Sequence, residues 1–205
     1  MENLNFENAF VMYNKNYLSG EVPNYIFNFI SNMFDKEEKK IINDDTGNPL
    51  YKLNRKTIVF VDDDVDQSVI PKIWGSGVSI FQFPKELAEI KNNLEQELNF
   101  EFNICLANYY DSGKNSIGYH SDNEEKGSIS CIASMSFGVE RNFVFRKKNT
   151  KDIYRKLLLE HGSLLIMGNG CQENYDHSLP IDKECHEPRL NLTFRLFDGN
   201  RYKNH

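Results

Sequence analysis

The chain has 205 residues, 40% of them apolar and 26% charged, and a formal net charge of -6. That length supports one hydrophobic core and is short for two independent domains, so one compact globular domain with a single active site is expected. The acidic balance argues against a protein that coats nucleic acid indiscriminately through clustered lysines and arginines, and no apolar run approaches the roughly 20 residues that cross a bilayer.

The opening residues, Met1-Glu2-Asn3-Leu4-Asn5, have neither the basic nor the apolar stretch of a secretory leader, so the expected location is inside the cell, cytoplasm or nucleus, with no membrane association. Spacing of Tyr25, Ile26, Phe29, Ile30 and Phe34 predicts an amphipathic helix over Val22 to Lys40, with Pro23 near its start. Lys56 to Asp62 is β-branched and apolar and reads as a strand. An irregular stretch around Trp74-Gly75-Ser76-Gly77 follows, and then a second amphipathic helix from Pro84 to Leu98. Beyond Glu101 the chain turns to short β-rich runs, at Phe102 to Tyr110, Ile129 to Phe137, Asn142 to Arg146, Ser163 to Met167 and Arg189 to Phe197. Runs at that spacing predict a sandwich or barrel.

Cys105, Cys131, Cys171 and Cys185 lack the paired spacing of a disulfide framework and are expected as free thiols in a reducing compartment. Cys171, His177, Cys185 and His186 are the residues from which a zinc site would have to be drawn, but no Cys-x-x-Cys pair supports one. Between Arg141 and Lys156 seven cations (Arg141, Arg146, Lys147, Lys148, Lys151, Arg155 and Lys156) stand against Asp152 alone. This basic hairpin is either a solvated surface or a phosphate contact, with Arg141 a candidate for the contact.

The last strand carries the strongest pattern. Side chains alternate along a strand, so Arg189, Asn191, Thr193 and Arg195 share one face of Arg189 to Leu196 while Leu190, Leu192, Phe194 and Leu196 share the other. A wholly polar face with two cations is suited to an anionic ligand. In His120-Ser121-Asp122 an extended backbone points an imidazole and a carboxylate the same way, as two ligands of one metal require. A later histidine must complete the set: of the five, His177 lies between that pair and the arginine strand and is a candidate, with His161 and His186 as competitors. Two imidazoles and one carboxylate on a face of octahedral Fe(II) leave open positions for a bidentate keto acid and O2.

The order of motifs resembles the AlkB family of nucleic-acid dioxygenases, particularly its DNA-repair members. The agreement runs from Phe102 to Leu196 through Cys105-Leu106-Ala107-Asn108-Tyr109-Tyr110, Ile117-Gly118-Tyr119-His120-Ser121-Asp122-Asn123-Glu124, Ile132-Ala133-Ser134-Met135-Ser136-Phe137-Gly138, His161-Gly162-Ser163-Leu164-Leu165-Ile166-Met167 and Pro188 to Arg195. Asn54-Arg55-Lys56 resembles the family's entry to its substrate lid, with Asn54 where the family has proline.

The resemblance implies an α+β, mainly β, protein whose double-stranded β-helix (jelly-roll) core is packed by N-terminal helices. It implies residues 1–100 as helices and a nucleotide-recognition lid within the same domain, 101–197 as the dioxygenase core and 198–205 as a tail. It implies that His120, Asp122 and His177 bind Fe(II), and that Asn108, Tyr110, Arg189, Thr193 and Arg195, with Asn191 on the same face, bind 2-oxoglutarate. Fixed guanidinium forks suit a dicarboxylate as lysine would not. The implied reaction spends O2 and 2-oxoglutarate, releases succinate and CO2, and hydroxylates an N-alkyl carbon that leaves as formaldehyde.

The implied partner is DNA or RNA carrying alkylated bases, taken by a monomer. A base to be dealkylated must leave its stack and enter a pocket. Trp74, the single tryptophan, or Phe81 would then be either a stacking surface for that base or an anchor of the lid on the core. Arg55 is a candidate phosphate contact. One departure is Asn123 where repair members commonly carry a second acid, which leaves Glu124 to pair with a cationic alkylated base. An oxygenase acting on a protein side chain, and a binding module without turnover, are the alternatives.

Overall fold

The computed structural model describes residues 1–34, 41–43, 49–52, 54–75, 78–122 and 128–198. Fourteen strands are present among them, and twelve form two facing sheets. The larger sheet is built from β1 (Glu2–Asn3), β2 (Val11–Asn14), β5 (Lys56–Val61), β6 (Ser79–Gln82), β7 (Ile104–Tyr110), β9 (Cys131–Gly138), β12 (Ser163–Gly168) and β14 (Arg189–Arg195). Its order is β1-β2-β12-β9-β14-β7-β5-β6. The smaller sheet, in the order β11-β10-β13-β8, holds β8 (Ile117–His120), β10 (Arg141–Lys147), β11 (Ile153–Leu159) and β13 (Tyr175–Leu179). β3 (Ile41–Asn43) and β4 (Pro49–Lys52) form a separate antiparallel pair.

Three helical segments precede the core and a short one lies within it: α1 (Val22–Met33), α2 (Ile70–Trp74), α3 (Lys85–Leu98) and α4 (Cys171–Asn174). α1 and α3 turn Ile26 and Ile30, and Leu87, Ile90 and Leu94, onto the outer face of the larger sheet, where they join Ile58, Phe60, Ala107, Met135, Leu190, Leu192 and Phe194. Each such fully buried aliphatic or aromatic side chain contributes about 1.5–3 kcal/mol. A second core, from Ile132, Leu165 and Met167 on one sheet to Phe145, Leu159 and Tyr175 on the other, closes one end of the space between the sheets. The opposite end of that space is lined by polar side chains and forms the site.

The helix expected over Val22 to Lys40 is observed to Met33, and residues 35–40 lie outside the described ones. The segment ahead of residue 101, read as helices and lid, also supplies four strands of the larger sheet. β1, β2, β3, β4, β6, β8, β11 and β13 are additions to the strands expected from sequence. Each is short or mixed in polarity and takes its conformation from a neighbouring strand rather than from its own pattern. The expected jelly-roll architecture, mainly β with packed helices, is what the two facing sheets provide.

Candidate functional site

β14 sits between β9 and β7, and its alternation sorts its side chains completely. Leu190, Leu192 and Phe194 are fully buried in the helix-facing core, while Arg189, Asn191, Thr193 and Arg195 face the space between the sheets. Register places Arg189 opposite Tyr110 and Asn191 opposite Asn108 on β7. On the other side Arg189 meets Gly138, which ends β9 with φ +82° and lies so close to the Pro188 carbonyl and the Phe27 ring that a Cβ has no room. The start of the arginine strand is thereby fixed.

Internal hydrogen bonds determine which donors remain for a ligand. Asn191 donates to Ser134 Oγ at 2.9 Å and to the Met135 carbonyl at 2.9 Å, and accepts from Thr193 at 3.1 Å, so its amide is fully engaged by the protein. Asn108 Oδ1 accepts from Arg55 Nε and from Thr57 Oγ1, both at 2.9 Å, which leaves the Asn108 Nδ2 group for a ligand. Arg189 donates to Ser136 Oγ at 2.8 Å and lies over the Tyr110 ring, but its Nε is buried with no partner. Nε and Nη1 of Arg195 are likewise buried and unpartnered. Buried guanidinium N–H groups without acceptors are costly, and two carboxylates are the acceptors that suit them. Burial holds the Arg189 guanidinium down at about 10, against 12.5 for a free arginine.

Across the gap the smaller sheet brings the metal-type residues together. His120 on β8 is paired with His177 on β13, and the next pair, Leu179 with Ile117, shows an extra residue on β8. That bulge lets Ile117 and His120 both line the same pocket although they differ in parity. His120 Nδ1 donates to the Gly118 carbonyl at 2.8 Å, which selects the tautomer that carries its lone pair on Nε2, the atom that would bind a metal. His177 is stacked on Phe143, with ring centroids 5.2 Å apart, and has the Phe145 and His120 rings edge-on. One donor atom each from His120, Asp122 and His177 lie within 4.8 Å of one another. Donors at about 2.1 Å on one face of an octahedral ion stand roughly 3 Å apart, so two imidazoles and a carboxylate already gathered this closely are the donor types, near the spacing, of an Fe(II)-type facial set. Among the described residues this is the one cluster of that kind, and Cys171, Cys185 and His186 are not part of it.

Asp122 joins the two halves of the site. Its Oδ1 pairs with Arg195 Nη2 at 2.9 Å and its Oδ2 faces His177 Nε2 at 3.8 Å. Burial pushes the Asp122 carboxyl upward, but the Arg195 guanidinium, which attracts it and hydrogen-bonds to it, outweighs burial and holds the group well below the usual carboxylate range. Burial pushes the His177 imidazole down to about 3, against the pull of Asp122, so it is neutral and able to donate a lone pair at physiological pH.

Other expected site residues have different positions. Arg55 lines the pocket, above Asn108. Asn54, just before it, bonds Ser116 through its side chain and accepts from Asn115 at its carbonyl, which anchors Arg55 to the loop before β8. Arg141 is a correction: it is 1% exposed and donates to the carbonyls of Ser112, Gly113, Asn115 and Pro180, so it holds loops together and does not reach a phosphate. The rest of the basic hairpin is also largely engaged within the fold. Arg146 and Lys151 pair with Asp176, Lys147 pairs with Glu7, and Lys148 and Arg155 donate to the carbonyls of Gln172 and Leu4. Of its two expected roles Trp74 has the position of the anchor, since it packs beside Phe197 against the cluster of Val65, Ile70 and Val78 and is not among the residues that line the pocket. Phe81 tilts against Phe60 at the sheet edge. His161 accepts from the Gly138 N–H at 2.9 Å and binds Asn24, which is a structural role. Asn123 and Glu124 lie outside the described residues. Sequence reasoning missed Phe143, Ser134, Ser136 and Gln172. Of these, the two serines were legible as the inward-facing positions of β9.

The family model described as "2OG-Fe(II) oxygenase superfamily" matches residues 76–195, more than half of the chain. The chain belongs to this superfamily. Members are oxygenases of Fe(II), 2-oxoglutarate and O2, and the donor sets above fit that pair of ligands. Among curated proteins it is 40% identical over 118 residues to alpha-ketoglutarate-dependent dioxygenase alkB homolog 3 of Homo sapiens, covering 53% of this chain and 41% of that protein. It is also 40% identical over 117 residues to DNA oxidative demethylase ALKBH2 of Homo sapiens, covering 53% of this chain and 45% of the relative. These relatives bear out the resemblance to the AlkB family, although the match spans less than half of their length. The solved structure described as that of OsALKBH1 superposes with a TM-score of 0.64 at 19% identity, covering 90% of this chain and 97% of that one, and shows the fold. Among the described residues no helix is long and apolar enough to cross a membrane.

Proposed function

We propose that the protein is an oxidative demethylase of N-alkylated nucleobases in DNA or RNA. The observation that carries this reading is the His-Asp-His donor set, its His177 buried, standing next to guanidinium N–H groups that are buried without partners. Two relatives bear the names of an alkB-type dioxygenase and a DNA oxidative demethylase, which supports the choice of nucleobase as substrate. His120, Asp122 and His177 would hold Fe(II), and Arg189 and Arg195, with Asn108 and Tyr110, would hold 2-oxoglutarate. Bound together, the two supply the oxidising power for O2-dependent hydroxylation of an N-alkyl carbon, with succinate and CO2 as co-products.

The protein's own residues bind and orient. Arg195 holds the Asp122 carboxylate with one amino group and keeps two N–H donors for the keto acid. Arg189, 2% exposed, offers its Nε to the far carboxylate. Leu106, Ile117, Phe143 and Leu179 make the remaining wall apolar and exclude water from the reacting carbon. Arg55, which lines the pocket, would meet the substrate's backbone. Residues 1–100 as the substrate-recognition part, 101–197 as the oxygenase core and a monomer working inside the cell belong to the same reading. The free thiols of all four cysteines support that compartment.

A second reading, oxidation of a protein side chain, is favoured by one observation: most cations of the basic hairpin are already engaged within the fold, Arg146, Lys147 and Lys151 by carboxylates and Arg141, Lys148 and Arg155 by backbone carbonyls. Both are tested by adding 2-oxoglutarate and air to the Fe(II)-loaded protein with methylated oligonucleotides, following succinate and formaldehyde together, with His120→Ala as control. Formaldehyde in step with succinate supports the demethylase. Succinate without formaldehyde favours another substrate, and neither product sinks the oxygenase assignment.

A further inference from the structure

Asp122 lies beyond the end of β8, where the ladder to β13 has stopped, so its backbone N–H has no strand partner. That N–H donates to Gln172 Oε1 at 2.9 Å. Gln172 is 2% exposed and sits on α4, five residues before His177. Its amide nitrogen faces Met167 Sδ at 3.5 Å, a weak acceptor, which leaves the oxygen turned toward Asp122.

The turn that carries Gln172 is itself pinned. Gly170 opens it with φ +83° and lies so close to the Asn8 carbonyl and Ala9 that only glycine fits. Asn174 Nδ2 donates to the Gly170 carbonyl at 2.8 Å, Lys148 Nζ donates to the Gln172 carbonyl at 2.5 Å, and the Lys148 N–H donates to the Asn174 carbonyl at 3.0 Å. The acceptor is therefore held before any ligand arrives.

We infer that Gln172 is a positioning residue for the metal-side carboxylate, a role that rests on the metal reading above. One short turn braces two donors of the set: His177 through the chain, and Asp122 through a hydrogen bond to its main chain. Without that bond, Arg195 is the one hydrogen-bonding partner left to hold the Asp122 carboxylate among the described residues, and the co-substrate needs the same group. Interactions of this kind, which orient a ligand without touching the ion, typically change metal affinity about 10- to 100-fold.

The test is a titration of the full chain with Co(II), followed by the visible d–d absorption of the bound ion, in the wild type, Gln172→Met and His120→Ala. Gln172→Met keeps the length and approximate volume of the side chain but removes the acceptor. The expected result is tight uptake by the wild type, loss in His120→Ala, and uptake about 10- to 100-fold weaker in Gln172→Met with an altered band shape. The Tm of metal-free Gln172→Met should fall by only about 2–4 °C, the effect of one neutral hydrogen bond. Wild-type affinity and an unchanged band in Gln172→Met overturn the inference and leave the metal reading standing. Failure of the wild type to take up Co(II) overturns the metal reading and this inference with it. If Gln172→Met does not fold, amide exchange in the wild type decides: protection of the Asp122 N–H comparable to that of the β13 amides supports the role, and exchange at an unprotected rate overturns it.

Discussion

Asp122 and Arg195 meet at 2.9 Å with their side chains 8% and 5% exposed, and this contact couples the metal side of the site to the co-substrate side. The carboxylate belongs to one sheet's donor set and the guanidinium to the other sheet's polar face. Breaking a buried pair by removing one partner typically costs about 3–5 kcal/mol, because the remaining charge is left uncompensated. Arg195→Met is therefore expected to lower unfolding stability by that amount in urea denaturation. Arg195→Lys should recover most of the stability yet bind 2-oxoglutarate at least about tenfold more weakly, since an ammonium cannot serve Asp122 and present two further fixed donors together.

Arg189, assigned to the co-substrate in the proposed function, has little of this structural role. Its Nη2 is satisfied by Ser136, and the unpartnered Nε is the group that a carboxylate would take. Charge-assisted hydrogen bonds are worth about 1.5–3 kcal/mol, so Arg189→Lys should weaken 2-oxoglutarate binding roughly 10- to 100-fold. Calorimetric titration of the metal-loaded protein checks this, and a wild-type affinity would remove Arg189 from the site.

Arg141 is expected to behave oppositely. It is buried against four carbonyl groups, and each buried acceptor left without a donor costs about 1–3 kcal/mol. Arg141→Met should lower stability by at least about 3 kcal/mol, while the folded variant should bind oligonucleotides with an unchanged dependence on salt. A reduced salt slope would restore Arg141 as a phosphate contact.

The metal-free protein should be acid-sensitive through His177. Its imidazole is held down to about 3 in the fold and takes a proton near 6.5 in the unfolded chain. Between those values the unfolded state binds the extra proton, so stability falls as pH falls through that window, by up to about 1.4 kcal/mol per unit. Urea midpoints measured with chelator from pH 7 to pH 4 should show the decline. His177→Gln should flatten it.

Much of the site was legible because its signals are local. Alternation on a strand needs no partner to be read, and the four polar residues from Arg189 to Arg195 do face the pocket while their leucine neighbours face the helices. His120 and Asp122 were readable from their spacing, whereas chain order left His177 beside His161 and His186, and the family resemblance singled it out. What was not legible depends on residues far apart in sequence. Arg141 looks like one more cation of a basic hairpin until the loops at Ser112 and Pro180 close around it. Trp74 resembles a pocket aromatic until Phe197, from the far end of the chain, covers it. Asn191 shares a face with the arginines, yet Ser134 and Met135 on β9 occupy its donors. β11 and β13 were missed because their polarity follows neighbours in the smaller sheet rather than an alternation of their own.

The position of β14 bears on how the protein is made. It is last in order among the described strands, yet it fills the gap between β9 and β7. As the chain emerges during synthesis, β7 can pair with β5 and β9 with β12, but each keeps an open edge toward the missing strand. Exposed edges of this kind invite pairing with other chains, and contacts between remote segments form slowly. The two arginines of the pocket therefore arrive in the same step that seals the sheet. A nascent chain that has not reached Arg195 has neither a closed sheet nor a pocket able to hold a dicarboxylate.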